Sequence, residues 1–298
     1  MRLRVGHIQF LNCFPLYYGL MKKGLPAEIA LFRGTPADLN CLLIDGKLDV
    51  SAISSIEYAR NFQELLLLPD ISISADGEVK SVLLISRFPI PELEGKKVFL
   101  TSTSATSQIL LKILLRRKYG VECSFIVAPP ELRAMLSEGD AALLIGDPAL
   151  EAYYARDEGF FIYDLAKEWK EFTGLPMVFA VWAVRREIAE QARDLIWKLS
   201  GTFSDSLDYS LRNLRQVAAS AAGAGFLSRE RVEEYFRVLR FELGPAYLEG
   251  LKRYYALAYE EGFVQQMPVI KFLPVLPGQA SPAAAGGRVS FAEARVIK

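Results

Sequence analysis

The chain has 298 residues, of which 51% are hydrophobic and 23% charged, a composition typical of a globular protein large enough for two domains. Lysine plus arginine and aspartate plus glutamate number 35 each, and this zero net charge argues against a broad electrostatic surface for nucleic acid. No apolar run approaches the roughly 20 residues that span a bilayer, and the first residues lack the features of a signal peptide. We therefore expect a cytoplasmic protein that does not enter a membrane.

Cysteine and histidine usage gives no sign of a metal centre. Cys13, Cys41 and Cys123 are widely spaced, which favours neither a disulfide framework nor a zinc site. His7 is the only histidine of the sequence, so a multi-histidine metal site is excluded and nothing nearby supports a catalytic triad.

In the first part of the chain, short apolar strands alternate with helices. Strands are predicted over residues 4–10, 27–32, 48–53, 65–74 (interrupted at Pro69) and 80–86. Helices are predicted over residues 15–22, from 36 to about 45, and from the serine pair at 54–55 through 60.

A second alternating series follows, and the chain then becomes helical. Strands are predicted over residues 97–100, 123–127, 141–145, 160–163 and 177–184. Helices are predicted over residues 104–119, 130–137, from 148 through 154, from 186 to about 218, 228–239 and 245–261.

This order predicts an α/β protein with right-handed βαβ units, mainly parallel sheets and two lobes. We expect residues 1–87 and 180–270 to form a discontinuous first lobe and residues 88–179 a second lobe. The chain is expected to cross between them near Ser86-Arg87-Phe88-Pro89 and near Gly174-Leu175-Pro176. The remaining residues, 271–298, are rich in proline and small side chains and are expected to be a flexible tail. Ligands of such sheets bind beyond the carboxyl ends of strands, so the site is expected in the cleft between the lobes.

Six hydroxyl residues lie between an apolar strand and an amphipathic helix, within the segment Thr101–Ser107. A helix N-terminus has unpaired N–H groups and a partial positive charge, so Ser104, Thr106 and Ser107 are candidates to hold an anion. The sequence favours a carboxylate over a nucleotide as this anion, because it has neither a Walker lysine pattern nor a GxGxxG motif. The alternative is an ordinary helix cap.

Other candidates stand at strand ends or helix starts. Ser54 and Ser55 form a second possible anion site, and a plain cap is the alternative. The amide of Asn12, the hydroxyl of Ser81 and the Gly146-Asp147 pair could contact a ligand; turn formation, a solvated strand edge and a helix cap are the respective alternatives. Because no general-base histidine, convincing carboxylate pair or activated nucleophile is evident, an enzyme here would act chiefly by positioning and electrostatics.

Several segments together resemble one enzyme family, the chorismate dehydratases of the futalosine route to menaquinone, over roughly residues 3 to 265. The segments are IQFLNCFPLYYGL from Ile8, ISSIEYAR from Ile53, SVLLIS from Ser81, TSATS from Thr103, LIGDP from Leu144, and Trp169 to Trp182 with its TGLP sequence.

The resemblance implies a periplasmic-binding-protein-like type II fold used as a cytoplasmic enzyme. It implies conversion of chorismate to 3-[(1-carboxyvinyl)oxy]benzoate with loss of water, without metal or organic cofactor, and it implicates Asn12 and Ser81 in function. The sister enzyme 1,4-dihydroxy-6-naphthoate synthase shares the fold, but its early Ser-Pro-Cys-Pro-Asn-type segment is not found here. A non-catalytic module that binds a small organic anion is the other alternative.

The two carboxylates of chorismate match the two predicted anion sites. We expect Ser104, Thr106 and Ser107 to hold one carboxylate and the 54–55 serine pair to contact the other. Asn12 and Ser81 would orient the leaving hydroxyl or the enolpyruvyl carboxylate. Because no protein base is evident, a carboxylate of the substrate is a candidate proton acceptor.

Overall fold

Two five-stranded sheets organise the residues that the computed structural model describes, 1–155, 159–223 and 225–275. The strands are β1 (Leu3–Ile8), β2 (Ile29–Gly34), β3 (Val50–Ser54), β4 (Leu65–Ala75), β5 (Val82–Ser86), β6 (Lys97–Thr101), β7 (Ser124–Ala128), β8 (Ala141–Ile145), β9 (Phe161–Asp164) and β10 (Met177–Arg185). The α-helices are α1 (Phe14–Lys23), α2 (Pro36–Ile44), α3 (Ser55–Asn61), α4 (Ala105–Leu114), α5 (Leu132–Glu138), α6 (Gly146–Ala155), α7 (Leu165–Thr173), α8 (Arg186–Gln191), α9 (Arg193–Arg212), α10 (Leu214–Ala222), α11 (Arg229–Val238) and α12 (Pro245–Glu260).

The two sheets have the same plan. Their strand orders are β2-β1-β3-β10-β4 and β7-β6-β8-β5-β9. In the described part of each sheet, four strands run in one direction, and the strand in the fourth position, β10 or β5, runs against its neighbours. The expected α/β fold is confirmed, but the expectation of mainly parallel sheets omits these two reversed strands.

We call each sheet with its helices a lobe. The second sheet uses one contiguous stretch, β5 to β9, whereas the first combines β1 to β4 with β10. The expected boundaries at 87–88 and 179–180 therefore need correction. β5 pairs with β8 and β9 in the second lobe, so the chain crosses before Val82. The return crossing precedes Met177, because the whole of β10 pairs in the first sheet. Apolar strands look alike in either lobe, so the first crossing was predicted one strand too late, whereas the return before Met177 lies at the predicted Gly174-Leu175-Pro176 crossing.

Several elements differ from the sequence prediction. The helix α7 was not predicted, and the long helix expected over 186–218 is divided into α8, α9 and α10. The helix expected over 104–119 is α-helical only to Leu114 and continues as a π-helical segment, Leu115–Tyr119. β4 runs through Pro69 without a break. Its pairing with β10 shifts there, from Val181 opposite Ser72 to Ala183 opposite Leu67, so β4 carries extra residues around Pro69.

The start of the expected tail is ordered. Leu67 of β4 donates its N–H to the Lys271 carbonyl at 2.8 Å and accepts from the Leu273 N–H at 2.8 Å. The indole of Trp197 also donates to the Pro274 carbonyl at 3.0 Å. The expectation of a flexible tail is therefore wrong for residues 271–275, and residues 276–298 lie outside the described residues.

The buried apolar side chains of the described residues form two clusters. The larger one includes side chains from both sheets, and the smaller one surrounds Leu83 and Phe99 in the second lobe. None of the described helices combines the length and the apolar character that crossing a membrane requires. The shared cluster places the two lobes in contact.

Candidate functional site

A cavity of about 40 Å³ lies between the lobes, where strands end and helices begin. Its polar lining consists of residues predicted from the sequence, namely Asn12, Ser54, Ser81, Ser104 and Ser107, and the Gly146 backbone also contributes. Apolar side chains such as Ile8, Phe10 and Phe179 complete the wall. The volume is far below the ~300–1,000 Å³ of typical ligand pockets, so this form of the protein has no room for a ring-sized molecule.

Ser81 lies at the start of β5 and is only 2% exposed. Its Oγ accepts a hydrogen bond from the Tyr235 hydroxyl at 2.9 Å, and its carbonyl accepts from the Gly146 N–H at 2.8 Å. Burial holds the pKa of Tyr235 well above its ordinary value, so the phenol remains a hydrogen-bond donor. Both the backbone and the side chain of Ser81 are therefore fixed in direction.

Asn12 lies in the short 3₁₀ turn Leu11–Cys13 between β1 and α1. Its Oδ1 is buried and has no hydrogen-bond partner among the described residues. Leaving a buried acceptor unpaired costs about 1–3 kcal/mol. An unpaired amide oxygen at a cavity wall is a natural contact for a ligand donor.

Ser54 occupies the N-cap position of α3, yet its side chain makes no capping bond there. Instead, Asn40 of α2 donates its Nδ2 to Ser54 Oγ at 3.3 Å and accepts the Ser54 N–H on Oδ1 at 3.0 Å. The alternative of a plain Ser54 cap is thus wrong, because Asn40 pairs with both groups. This pairing still allows the Ser54 hydroxyl to donate towards the cavity.

Ser104 and Ser107 form the expected helix start. Ser104 caps α4 by accepting the Ser107 N–H at 3.3 Å, and its hydroxyl donates to Ser107 Oγ at 3.0 Å. Both side chains are almost fully buried and border the cavity. The start of α4 therefore brings hydroxyls and a positive helix end to one wall.

The remaining predicted site residues do not line the cavity. The hydroxyls of Ser55 and Thr106 lie 3.3 Å apart, and Ser55 Oγ also donates to the Val178 carbonyl at 2.9 Å. Thr106 Oγ1 accepts the Ile56 N–H at 3.3 Å, which joins the starts of α3 and α4 across the lobes. The structure thus places both side chains in the contact between the lobes.

Asp147 also bridges the lobes. Its Oδ1 accepts the Leu11 N–H at 3.0 Å, next to Asn12. Burial raises the pKa of Asp147, the Leu11 hydrogen bond opposes this rise, and the charge of Glu151 adds to it. Asp147 therefore holds the turn that contains Asn12 in place through its contact with Leu11.

The backbone of Gly146 explains why a glycine stands there. Its φ is +62°, and a Cβ would lie 2.9 Å from the ring of Phe10. Both the left-handed conformation and this close approach favour glycine. The chain can therefore start α6 directly against the first lobe.

The residues missed by the sequence analysis act from behind the cavity. Tyr235 and Asn40 hold Ser81 and Ser54, respectively. Tyr235 is 154 residues from its partner, and no local pattern announces such a contact. The sequence feature that could have pointed to Tyr235 is its position on the buried face of an amphipathic helix, and such a position usually indicates core packing.

Charge is absent from the wall itself. The described lining residues include no acidic or basic side chain. A bound anion would therefore depend on hydroxyl and amide donors and on helix starts, rather than on an ion pair.

The chain is similar to known proteins over most of its length. The family model described as menaquinone biosynthesis matches residues 3–260. The chain is 36% identical to a chorismate dehydratase of Thermus thermophilus over 84% of its own length and 93% of that protein. It is 25% identical to the 1,4-dihydroxy-6-naphtoate synthase of the same organism, over 86% of this chain and 92% of that protein.

Solved structures share the fold. An Archaeoglobus fulgidus protein superposes with a TM-score of 0.73 at 22% identity, over 88% of this chain and 98% of its own. The periplasmic aliphatic sulphonate binding protein of Escherichia coli superposes with a TM-score of 0.65 at 17% identity, over 90% of this chain and 94% of its own. The two-lobed architecture is therefore that of periplasmic binding proteins.

Proposed function

The chain belongs to the menaquinone-biosynthesis family, and from this premise we propose that it is a chorismate dehydratase that forms 3-[(1-carboxyvinyl)oxy]benzoate. The proposal follows the similarity along most of the chain to a protein of that activity. Within the molecule, one observation carries the proposal. The Asn12 Oδ1, which is buried and has no partner among the described residues, and the Ser81 hydroxyl, which Tyr235 holds, line the same cavity between the lobes.

The reaction is an elimination that makes an aromatic ring. The bond from the ring to its hydroxyl oxygen breaks, a proton leaves the neighbouring ring carbon, and the electrons of that C–H bond form the new double bond. Hydroxide and proton together give one water. Because aromatisation makes the step strongly downhill, orientation and modest charge stabilisation are the contributions asked of the protein.

Each polar group of the cavity has a proposed role. Ser104 and Ser107, with the first-turn N–H groups of α4, hold one carboxylate, and Ser54 contacts the other from the facing lobe. Asn12 and Ser81 orient the leaving hydroxyl or the enolpyruvyl carboxylate. Ser55, Thr106 and Asp147 support these groups through the contacts between the lobes.

The proton acceptor in this proposal is a carboxylate of the substrate. The described lining residues have no group that titrates in the physiological range. His7 does not line the cavity, and burial lowers its pKa to about 4. A substrate carboxylate held beside the reacting carbon is already charged and needs no protein base.

We also propose that the protein acts in the cytoplasm on this small dicarboxylate. A biosynthetic role of this family and the neutral, hydroxyl-lined cavity support a small-molecule substrate rather than a nucleic acid or a membrane surface.

The first experiment is incubation with chorismate, with chromatography and mass analysis of the products. Loss of one water and growth of the carboxyvinyloxybenzoate peak are expected. Asn12→Ala and Ser81→Ala should each lower kcat about 100-fold, as loss of an oriented polar contact does. Ser137→Ala, an exposed serine on α5, is the matched control.

Full turnover by both folded cavity variants would remove Asn12 and Ser81 from the mechanism. A folded wild-type protein that leaves chorismate unchanged would contradict the dehydratase assignment itself. The cyclic product of the futalosine route would then be the next compound tried, because the sister enzyme acts on it.

A further inference from the structure

We propose that Tyr235 of α11 is a positioning residue, which orients the Ser81 hydroxyl so that it donates its proton towards the substrate. The inference rests on the proposed function, because it assigns a direction to a hydrogen bond in that reaction. It adds a role for a helix in the C-terminal part of the chain, far in sequence from the other cavity residues.

The direction follows from the inventory of the two hydroxyls. Tyr235 donates to Ser81 Oγ at 2.9 Å, which occupies one of the two lone pairs of that oxygen. Among the described residues, no acceptor takes the Ser81 hydroxyl hydrogen. Since Ser81 borders the cavity, the remaining donor is available to a substrate oxygen.

Tyr235 suits this role because its hydroxyl stays protonated. The side chain is fully buried, and burial holds its pKa well above the ordinary value, so it stays neutral and protonated. A carboxylate in its place would draw the Ser81 hydrogen away from the cavity, and a water could turn the hydroxyl either way. Among the described residues, Ser81 Oγ is the acceptor that takes the Tyr235 hydrogen, so the phenol donates and the serine accepts.

A second pair, one residue earlier on each side, aligns the two segments. The Lys80 ammonium forms an ion pair with Glu234, and Lys80 is 4% exposed. Its charge lies 5.4 Å from the ring centroid of Tyr153. The neighbouring pairs Lys80–Glu234 and Ser81–Tyr235 thus bind α11 to the start of β5 at two consecutive positions.

The backbone before Ser81 is held as well. Asp164 Oδ2 accepts the N–H groups of Val79 at 2.9 Å and Lys80 at 2.5 Å. Lys80 has a φ of +65°, a conformation that non-glycine residues rarely adopt. The contacts with Asp164 hold Lys80 in this energetically unfavourable conformation. As a result, the position of the Ser81 side chain is defined.

The test is a double-mutant cycle between Tyr235→Phe and Ser81→Ala in the dehydratase assay. Tyr235→Phe should lower kcat about tenfold, the upper range for one hydrogen bond, and should change KM less than about twofold. In the Ser81→Ala background, the same substitution should have almost no further effect, because its route to the substrate is gone.

Tyr58→Phe is the matched control. Tyr58 is equally buried and donates its hydroxyl to the Val269 carbonyl at 3.0 Å, away from the cavity. It should retain wild-type kcat even if both variants unfold at a lower temperature. A stability effect alone would therefore appear in both variants, whereas the loss of kcat would appear only in Tyr235→Phe.

Glu234→Ala provides a second test that does not depend on the folding of Tyr235→Phe. The Glu234 side chain is 55% exposed, so its removal opens no cavity, and it leaves the buried Lys80 ammonium without its ion-pair partner. Loss of the aligning ion pair should lower kcat about threefold in the wild-type background and not in the Ser81→Ala background.

The inference is overturned if Tyr235→Phe keeps wild-type kcat, or if its effect is equally large without the Ser81 hydroxyl. An unchanged kcat for Glu234→Ala overturns the aligning role. Failure of the proposed function looks different, since the wild-type protein itself would then form no dehydration product, and the positioning role would fall with it.

Discussion

At the scale of the residue, His7 should titrate far from its ordinary range. Its ring stacks on Tyr17 with centroids 3.8 Å apart, and burial, aided by the charge of Arg33, lowers its pKa from 6.5 to about 4. His7 is the only histidine of the sequence, so its imidazole NMR signal is unambiguous. We expect a titration midpoint near pH 4 in the folded protein, and a midpoint near 6.5 would contradict the buried placement.

The same shift has a consequence for stability. The unfolded chain binds the His7 proton more readily than the folded one between about pH 6.5 and 4, so this residue lowers stability as the pH falls through that window. His7→Phe retains a ring against Tyr17 and should lack this part of the pH dependence in urea unfolding.

Residues of the cavity differ in how far the sequence reveals them. Asn12, Ser54, Ser81, Ser104 and Ser107 lie at strand ends and helix starts, and such positions are recognisable from local patterns. Their supports are not, because the contact of Tyr235 with Ser81 depends on how the whole chain folds back. The bridging positions of Ser55, Thr106 and Asp147 were missed for the same reason.

At the scale of the element, Asp164 connects four backbone groups at one junction. It caps α7 through the N–H groups of Ala166 and Lys167, and it holds those of Val79 and Lys80 before β5. Asp164→Asn should lower the free energy of unfolding by about 3 kcal/mol, because an amide NH₂ cannot accept two of these bonds. Urea denaturation checks this value.

The pH dependence of that loss has a defined sign. Burial raises the pKa of Asp164 from 3.8 to about 6, and the hydrogen bonds from Lys80, Lys167 and Val79 oppose the rise. The folded state therefore holds the proton more tightly, and this group contributes less stability as the pH rises from 3.8 to 6. The difference between wild type and Asp164→Asn should narrow across that window, and a widening difference would contradict the assignment.

Strands were predicted better than helix boundaries. β8 is apolar throughout and β10 is apolar up to Arg185, so composition identifies both. The helix α7 was missed because its polar residues outnumber the few that it buries, among them Trp169. The breaks at Ala192 and Asn213 lie between helices of similar composition, and tertiary packing rather than local propensity places them.

At the scale of the whole molecule, the closed cavity predicts a movement. A volume of about 40 Å³ does not admit a cyclohexadiene dicarboxylate, so the lobes must separate and close again during each cycle. Chorismate or the product should narrow the distribution of lobe orientations seen by solution X-ray scattering. Asp147→Ala, which loses the Leu11 contact between the lobes, should shift the ligand-free protein towards open forms. A profile that is unchanged at saturation would count against this closure.

The sequence predicted the two-lobed plan and the return crossing before Met177, but it placed the first crossing one strand too late. Alternating strands and helices indicate βαβ units wherever they occur, and that periodicity does not say which sheet a strand joins. β5 is the clearest case, since its residues would fit the first sheet equally well by hydrophobicity.

The positions of the reversed strands also set the order in which the two sheets can be completed during synthesis. β5 lies between β8 and β9, so every strand of the second sheet has been synthesised once residue 164 is made. β10 lies between β3 and β4, and the first sheet therefore lacks its fourth strand until residue 185 has been added. The lobe that begins the chain is thus the last to be completed, and its early strands must wait for a segment translated after the entire second sheet.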